Sequence, residues 1–234
     1  MTDKKGVTRR QFLAGISTAA AASVVDAGMR RGETRASDAP AYRPSYFTAA
    51  EWAFVNAAVA RLIPEGGAGP GGVSSGVPEF IDRQLELPYG YGAYYYMQGP
   101  FVPDAPATLG YQLKYTPREL YRLGIAAIER HCMQQWGKPF EQLSAEEQDR
   151  LLVALEKGFV PLEGPPAAEV FAQLLANTRE GYFADPLYGG NRGMAAWKYI
   201  GFPGARADFT DWLDQAGHAY PYGPVSINGK SDRA

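Results

Sequence analysis

The chain has 234 residues, with 23 Lys and Arg against 25 Asp and Glu, a formal net charge of −2. That balance excludes the basic stripe with which a nucleic-acid binder displaces counterions, while 46% hydrophobic and 21% charged residues are enough to bury a globular core. One Cys and two His exclude an internal disulfide framework, a Cys-based zinc site and a haem-attachment pair.

Residues 1–41 read differently from the rest. Lys4, Lys5, Arg9 and Arg10 make a positive start, and an Ala-rich apolar stretch runs from Phe12 to Val25. That stretch has the length of a signal h-region and falls short of the roughly 18 residues that span a bilayer. The junction Thr8-Arg9-Arg10-Gln11-Phe12-Leu13 resembles a twin-arginine export signal, with Ala14 where a Lys often follows. The alternatives are an ordinary secretory signal that holds two arginines, or an amphipathic helix. Val25-Asp26-Ala27 and Thr34-Arg35-Ala36 both offer small residues for cleavage, and a retained leader acting as an anchor is a further option. The twin-arginine route exports folded proteins, often loaded with cofactor. The expectation is therefore a chain that binds a cofactor or carries a partner that does.

From residue 42 to 220 the pattern predicts a single all-α domain with long Tyr/Gly/Pro-rich loops, followed by a flexible tail over 221–234. Thr48…Glu51, Thr116…Glu119 and Ser144…Glu147 are capping boxes, a hydroxyl paired with a Glu three residues on. The first predicts a helix to about Ile63 with Trp52, Val55, Val59, Leu62 and Ile63 on its apolar face. The second, with Pro117 at the favoured first position, runs to about Trp136 through Leu120, Leu123, Ala127 and Ile128. The third carries Leu151, Leu152 and Leu155 and stops at Gly158. A fourth starts after Pro165-Pro166, carries Val170, Phe171, Leu174 and Leu175, and ends near Gly181. Shorter helices are predicted over 78–87, 193–200 and 207–214.

Two loops stand out. Residues 88–117 hold Tyr89, Tyr91, Tyr94, Tyr95, Tyr96, Phe101, Tyr111 and Tyr115 among glycines and prolines, with neither helical nor strand period. So many rings exceed what one small core takes in. Aromatics are favoured at protein interfaces because they bury much area with few rotatable bonds. The alternatives are an ordered loop packed on its own helices and a sugar-stacking platform. The second loop, Gly181-Tyr182-Phe183-Ala184-Asp185-Pro186-Leu187-Tyr188-Gly189-Gly190-Asn191, carries the turn signals Asp185-Pro186 and Gly189-Gly190. Asn191 is placed to cap the next helix. The candidate partner surface is thus Tyr94, Tyr95, Tyr96, Phe101, Tyr111, Tyr182, Phe183 and Tyr188.

No catalytic, cofactor or metal set emerges. Gly67-Ala68-Gly69-Pro70-Gly71-Gly72 fits GxGxxG, but a helical pattern precedes it and Pro70 sits inside it, so it reads as a loop and not a dinucleotide turn. Gly229-Lys230-Ser231 lacks both the first glycine and the helix of a phosphate loop. His131 and Cys132 are neighbours on a helix and point about 100° apart, which rules out a nucleophile–base pair. Cys132 is either buried and inert or bonded to another chain in an oxidising compartment.

The dispersed motifs resemble the gluconate 2-dehydrogenase subunit 3 family. They are Leu62-Ile63-Pro64, Gly69-Pro70-Gly71, Gly76-Val77-Pro78, Phe80-Ile81-Asp82, Gly99-Pro100-Phe101, Gly110-Tyr111-Gln112, Thr116-Pro117 before Leu120-Tyr121, the block from Gly181 to Asn191, Trp197 and Gly201-Phe202-Pro203-Gly204. The resemblance implies a non-catalytic small subunit in the periplasm. Its partners would be a large FAD-binding dehydrogenase of the glucose-methanol-choline type, which oxidises a sugar or sugar acid, and a membrane-anchored multihaem cytochrome c. The large subunit would be exported by riding on this one through the twin-arginine translocase. FAD and haem c would belong to those partners. An independent periplasmic enzyme and an exported sugar-binding module are the competing readings.

Overall fold

Each of the three capping boxes closes as the sequence predicts. Thr48, Thr116 and Ser144 accept from the amides of Glu51, Glu119 and Glu147, and those glutamates accept in return from the cap backbone. In the computed structural model, which describes residues 42–67, 69–102 and 105–230, six α-helices follow one another with no sheet among the described residues. They are α1 (Ala49–Leu62), α2 (Val77–Leu85), α3 (Pro117–Trp136), α4 (Ala145–Glu156), α5 (Ala167–Phe183) and α6 (Ala195–Ile200). The fold is all-α. No helix among the described residues is long and apolar enough to cross a membrane.

The central element is α5, which packs against all five other helices. Its buried positions Ala167, Val170, Phe171, Leu174, Asn177, Thr178, Gly181 and Tyr182 recur at three- and four-residue spacing, one stripe along the helix. Two glycines set the closeness of its crossings. A Cβ on Gly124 of α3 would meet both Val170 methyls at 2.7 Å, and one on Gly181 would meet the Phe80 ring of α2 at 2.7 Å. α1 adds Phe54, Val55, Ala58 and Val59 to the same core, with Phe54 against Phe140 at 4.9 Å between ring centroids.

Val55 and Val59 on α1 and Leu120, Ala127 and Ile128 on α3 are buried as predicted, and the faces differ from the prediction only at particular positions. On α1 Phe54 and Ala58 join the core, while Trp52, Leu62 and Ile63 pack at the margin. On α3 Leu123 faces outward, and Tyr121, Gly124 and Ile125 take the core positions. The predicted helix over 207–214 is a single 310 turn, Thr210–Trp212. Phe209 and Trp212 pack on Tyr220 there, so the local rings satisfy one another without a helical stripe to bury.

Two carboxylates fasten the ends of this body. Asp82 on α2 is fully buried and receives the 42–47 segment: Oδ2 accepts from Tyr42 Oη at 2.7 Å and from Ser45 N at 2.7 Å and Oγ at 3.0 Å. Oδ1 accepts from the amides of Tyr46 at 3.1 Å and Phe47 at 2.9 Å. Burial pushes this carboxyl up, but the backbone and hydroxyl donors outweigh it and hold it below the ordinary aspartate value. At the other end, Asp185 accepts from Ser226 Oγ at 2.6 Å and from Ile227 N at 2.7 Å. Val225 bridges to Gly204, and Ser226 is buried. Residues 224–227 are therefore strapped to the body, where the sequence reading expected a flexible tail from 221.

Candidate functional site

The tyrosine loop after α2 is divided between anchors and outward rings. Tyr89 turns in: its hydroxyl accepts from Asn177 Nδ2 at 2.8 Å and from Gln173 Nε2. Asn177 also accepts from Tyr121 Oη at 3.1 Å, so α3, α5 and the loop share one polar junction. Tyr95 lies between Tyr89 at 6.3 Å and Tyr111 at 4.9 Å, and Tyr111 donates to the carbonyl of Tyr115 at 2.5 Å. Burial raises the phenols of Tyr89 and Tyr95, Tyr89 to about 12. These hydroxyls stay protonated at neutral pH and act as fixed hydrogen-bonding groups.

Tyr91, Tyr94 and Tyr96 point the other way. Tyr94 is 73% exposed and Tyr96 67%. Tyr91 is held by stacking on Arg118, whose guanidinium carbon lies 4.4 Å from the ring centroids of both Tyr91 and Tyr46. Arg118 in turn donates to Leu85 O at 2.8 Å and pairs with Glu86 at 3.0 Å. The loop that carries the exposed rings is thus fixed to α2, α3 and the 42–47 segment. Val102 and Leu109 add exposed apolar surface on the same connection, and Phe101 is half-buried.

The second loop is split likewise. Tyr182 is a core residue, 7% exposed, and donates to Pro70 O at 2.7 Å. Its assignment to a partner surface is corrected: it sits on the buried stripe of α5, and its ring is closed off by the chain following α1. Phe183 is exposed, edge-on to Tyr182 at 5.0 Å. Tyr188 and Leu187 are exposed and share a shallow cleft of about 320 Å³ with Ser45, Arg83, Gln84, Glu86 and Leu87. That cleft brings Tyr188 to the residues just before the tyrosine loop, uniting two segments a hundred positions apart. Asn191, fully buried, accepts from Ala196 N in the first turn of α6 at 2.9 Å and donates to Ala184 O at 3.0 Å, tying the start of α6 to the end of α5, although the N-cap position itself is Met194.

Cys132 lies inside the core at 0% exposure, and burial pushes its thiol up to about 12. A thiol so placed reaches no second chain while α3 is folded, so the buried reading replaces the intersubunit disulfide. His131 packs its ring edge-on to Trp136 at 6.0 Å. In the Gly-rich turn after α1, Glu65 accepts from Gly71 N at 3.2 Å and Ser74 N at 3.1 Å. Those two amides are turned to a carboxylate of the same loop. No group of three His, Cys, Asp or Glu among the described residues could hold a metal ion. The predicted export residues Arg9, Arg10, Phe12 and Leu13 lie outside the described residues.

Comparison with protein families gives a match to gluconate 2-dehydrogenase subunit 3 over residues 49–204. The chain belongs to that family. The matched stretch runs from the first turn of α1 to Gly204, so it contains both anchored tyrosine loops and the whole helical core. As a subunit 3 protein, the chain is a component of a dehydrogenase complex. Neither the curated proteins nor the solved structures give a match. Sequence reasoning quoted Asp82 and Asp185 within motifs but missed what they and Arg118 hold, because those partners are distant in sequence.

Proposed function

We propose that this chain is the non-catalytic small subunit of a periplasmic, FAD-dependent dehydrogenase complex of the gluconate 2-dehydrogenase kind. It binds the cofactor-loaded flavoprotein in the cytoplasm, supplies the twin-arginine signal for both, and remains bound after export. A multihaem cytochrome c completes the complex and anchors it to the membrane. FAD and haem reside in those partners.

The observation that carries this reading is the two-sided tyrosine loop. Its inward rings hydrogen-bond and stack on α3 and α5, while Tyr94 and Tyr96 stand in water on an ordered backbone. Exposed, pre-positioned aromatics contribute strongly to an interface because they lose little entropy when covered. Loops that are merely solvated have no use for such anchoring. The leader supports the carrier role through Arg9 and Arg10, followed by Phe12 and Leu13.

The test is co-export. With Tyr94→Ala/Tyr96→Ala the flavoprotein should separate from this chain on affinity purification, with affinity lowered about a hundredfold or more, since interface tyrosines of this kind each contribute about 2 kcal/mol. With Arg9→Lys/Arg10→Lys both subunits should accumulate in the cytoplasm while still bound to each other. Export of the flavoprotein at its normal level in that variant refutes the carrier role.

A further inference from the structure

The family match ends at Gly204, and there the chain leaves the helical body on a closed excursion. Ala205 N donates to Val225 O at 2.7 Å and Val225 N donates to Pro203 O at 3.2 Å, so residues 205–224 start and finish side by side. The base cannot slide. A Cβ on Gly204 would meet Val225 O at 2.2 Å, and the residues after Val225 are strapped to Asp185. Within the excursion, Tyr220 is ringed by Phe209 at 5.5 Å, Trp212 at 5.6 Å and Tyr222 at 5.5 Å. Arg206 lies over Tyr220 and Tyr222 and donates to Gly223 O. This is a small loop with its own aromatic centre on a fixed base.

Its outer side is apolar and acidic. Leu213 is 75% exposed and Tyr222 62%. Asp208, Asp211 and Asp214 flank Leu213, and no lysine occurs between 205 and 223. Arg206, the one arginine there, is spent inside on the rings and the Gly223 carbonyl. Three exposed carboxylates within six residues of an exposed leucine would be repelled by an anionic lipid surface. A second copy, with 23 Lys and Arg against 25 Asp and Glu, brings no net opposite charge either.

We propose that residues 205–223 are a docking arm for a basic protein surface, on which Leu213 enters an apolar recess rimmed by lysines or arginines that meet Asp208, Asp211 and Asp214. This contact is separate from the tyrosine-loop surface and does not depend on that surface's role. The charges set approach rate and salt sensitivity, and the leucine sets the residence time.

The test places a photo-activatable benzoylphenylalanine at position 213 of the full chain, expressed in its own cells with its complex intact. The expected product is one heterologous adduct whose cross-linked peptide is rich in Lys or Arg. Its yield should fall about tenfold in Asp208→Asn/Asp211→Asn/Asp214→Asn, and similarly when ionic strength is raised from about 0.05 M to 0.5 M. These carboxylates are exposed, and asparagine keeps the oxygen with which Asp208 accepts from Thr210 N at 2.9 Å, so the triple variant should melt with the parent chain, which makes the loss a docking effect. Adducts confined to lipid, to a second copy of this chain or to an acidic peptide overturn the proposal. So does an adduct that ignores neutralisation. Tyr94→Ala/Tyr96→Ala should leave the position-213 adduct in place, so failure of the tyrosine-loop reading and failure of this one give different results.

Discussion

Asp82 shows how far one side chain reaches. Its two oxygens take five hydrogen bonds from Tyr42, Ser45, Tyr46 and Phe47, which fixes the chain at the point where the described body begins. An asparagine there keeps one acceptor oxygen and turns an amide group toward at least two donors. Each buried donor left unmet costs about 1–3 kcal/mol, so Asp82→Asn should destabilise the fold by about 2–4 kcal/mol and open residues 42–47 to protease. Denaturant unfolding and limited proteolysis together check this; an unchanged midpoint would remove Asp82 from its structural role. The Phe80-Ile81-Asp82 motif contains this residue but says nothing of what it holds. Its partners lie 35 to 40 positions upstream, and an Asp in the middle of a helix otherwise reads as a solvated face. The capping glutamates were legible for the opposite reason: their partners stand three residues away, at a spacing only a helix start uses.

The same contrast governs whole elements. Helices with a local start signal and a repeating apolar stripe appear where the pattern places them, α4 with Leu151, Leu152 and Leu155 buried as read. The stretch over 207–214 had apolar residues without a cap or a facing helix, and it collapsed around Tyr220. The strap of the C-terminal segment was hidden because a Gly/Pro-rich composition predicts freedom, and the contact that removes it comes from Asp185. That strap should respond to acid in a defined sense. Burial raises the Asp185 carboxyl, and the donors Ser226, Leu187 and Ile227 outweigh it, leaving the folded value below the ordinary 3.8. A carboxyl lowered in the folded state contributes fully above its unfolded value and loses that contribution as pH falls through the lower folded one. Amide protection at Ile227 should therefore hold from neutral pH to about 4 and fade only below 3.8. In Asp185→Asn, protection should be lost at every pH. Hydrogen exchange across a pH series, corrected for intrinsic rates, measures both. Fading already at pH 5 would mean that Asp185 does not carry the strap.

At the scale of the molecule, the candidate surface was half legible. An excess of tyrosines in a loop with no period signals that some rings must be covered from outside, but it does not say which. The division follows from the polar junction at Asn177 and the stack on Arg118, which take Tyr89, Tyr95 and Tyr91 and leave Tyr94 and Tyr96 exposed, with Tyr96 donating only to Gly99 O of its own loop at 3.0 Å. It also explains why Tyr182 was misassigned, since a ring next to a turn motif is placed by the helix it ends and not by the turn it begins. Exposed aromatic surface of this kind is a liability for a chain alone and an asset in a complex. Produced without its partner, the chain should therefore self-associate at micromolar concentration, and Tyr94→Ser/Tyr96→Ser should keep it monomeric. Stability should be unchanged to within about 0.5 kcal/mol, because neither ring contributes to the core. Light scattering against concentration, with a thermal melt on the same samples, separates surface from fold. A parent chain that stays monomeric throughout would show that these rings need no cover, and the partner surface would then have to be sought elsewhere on the molecule.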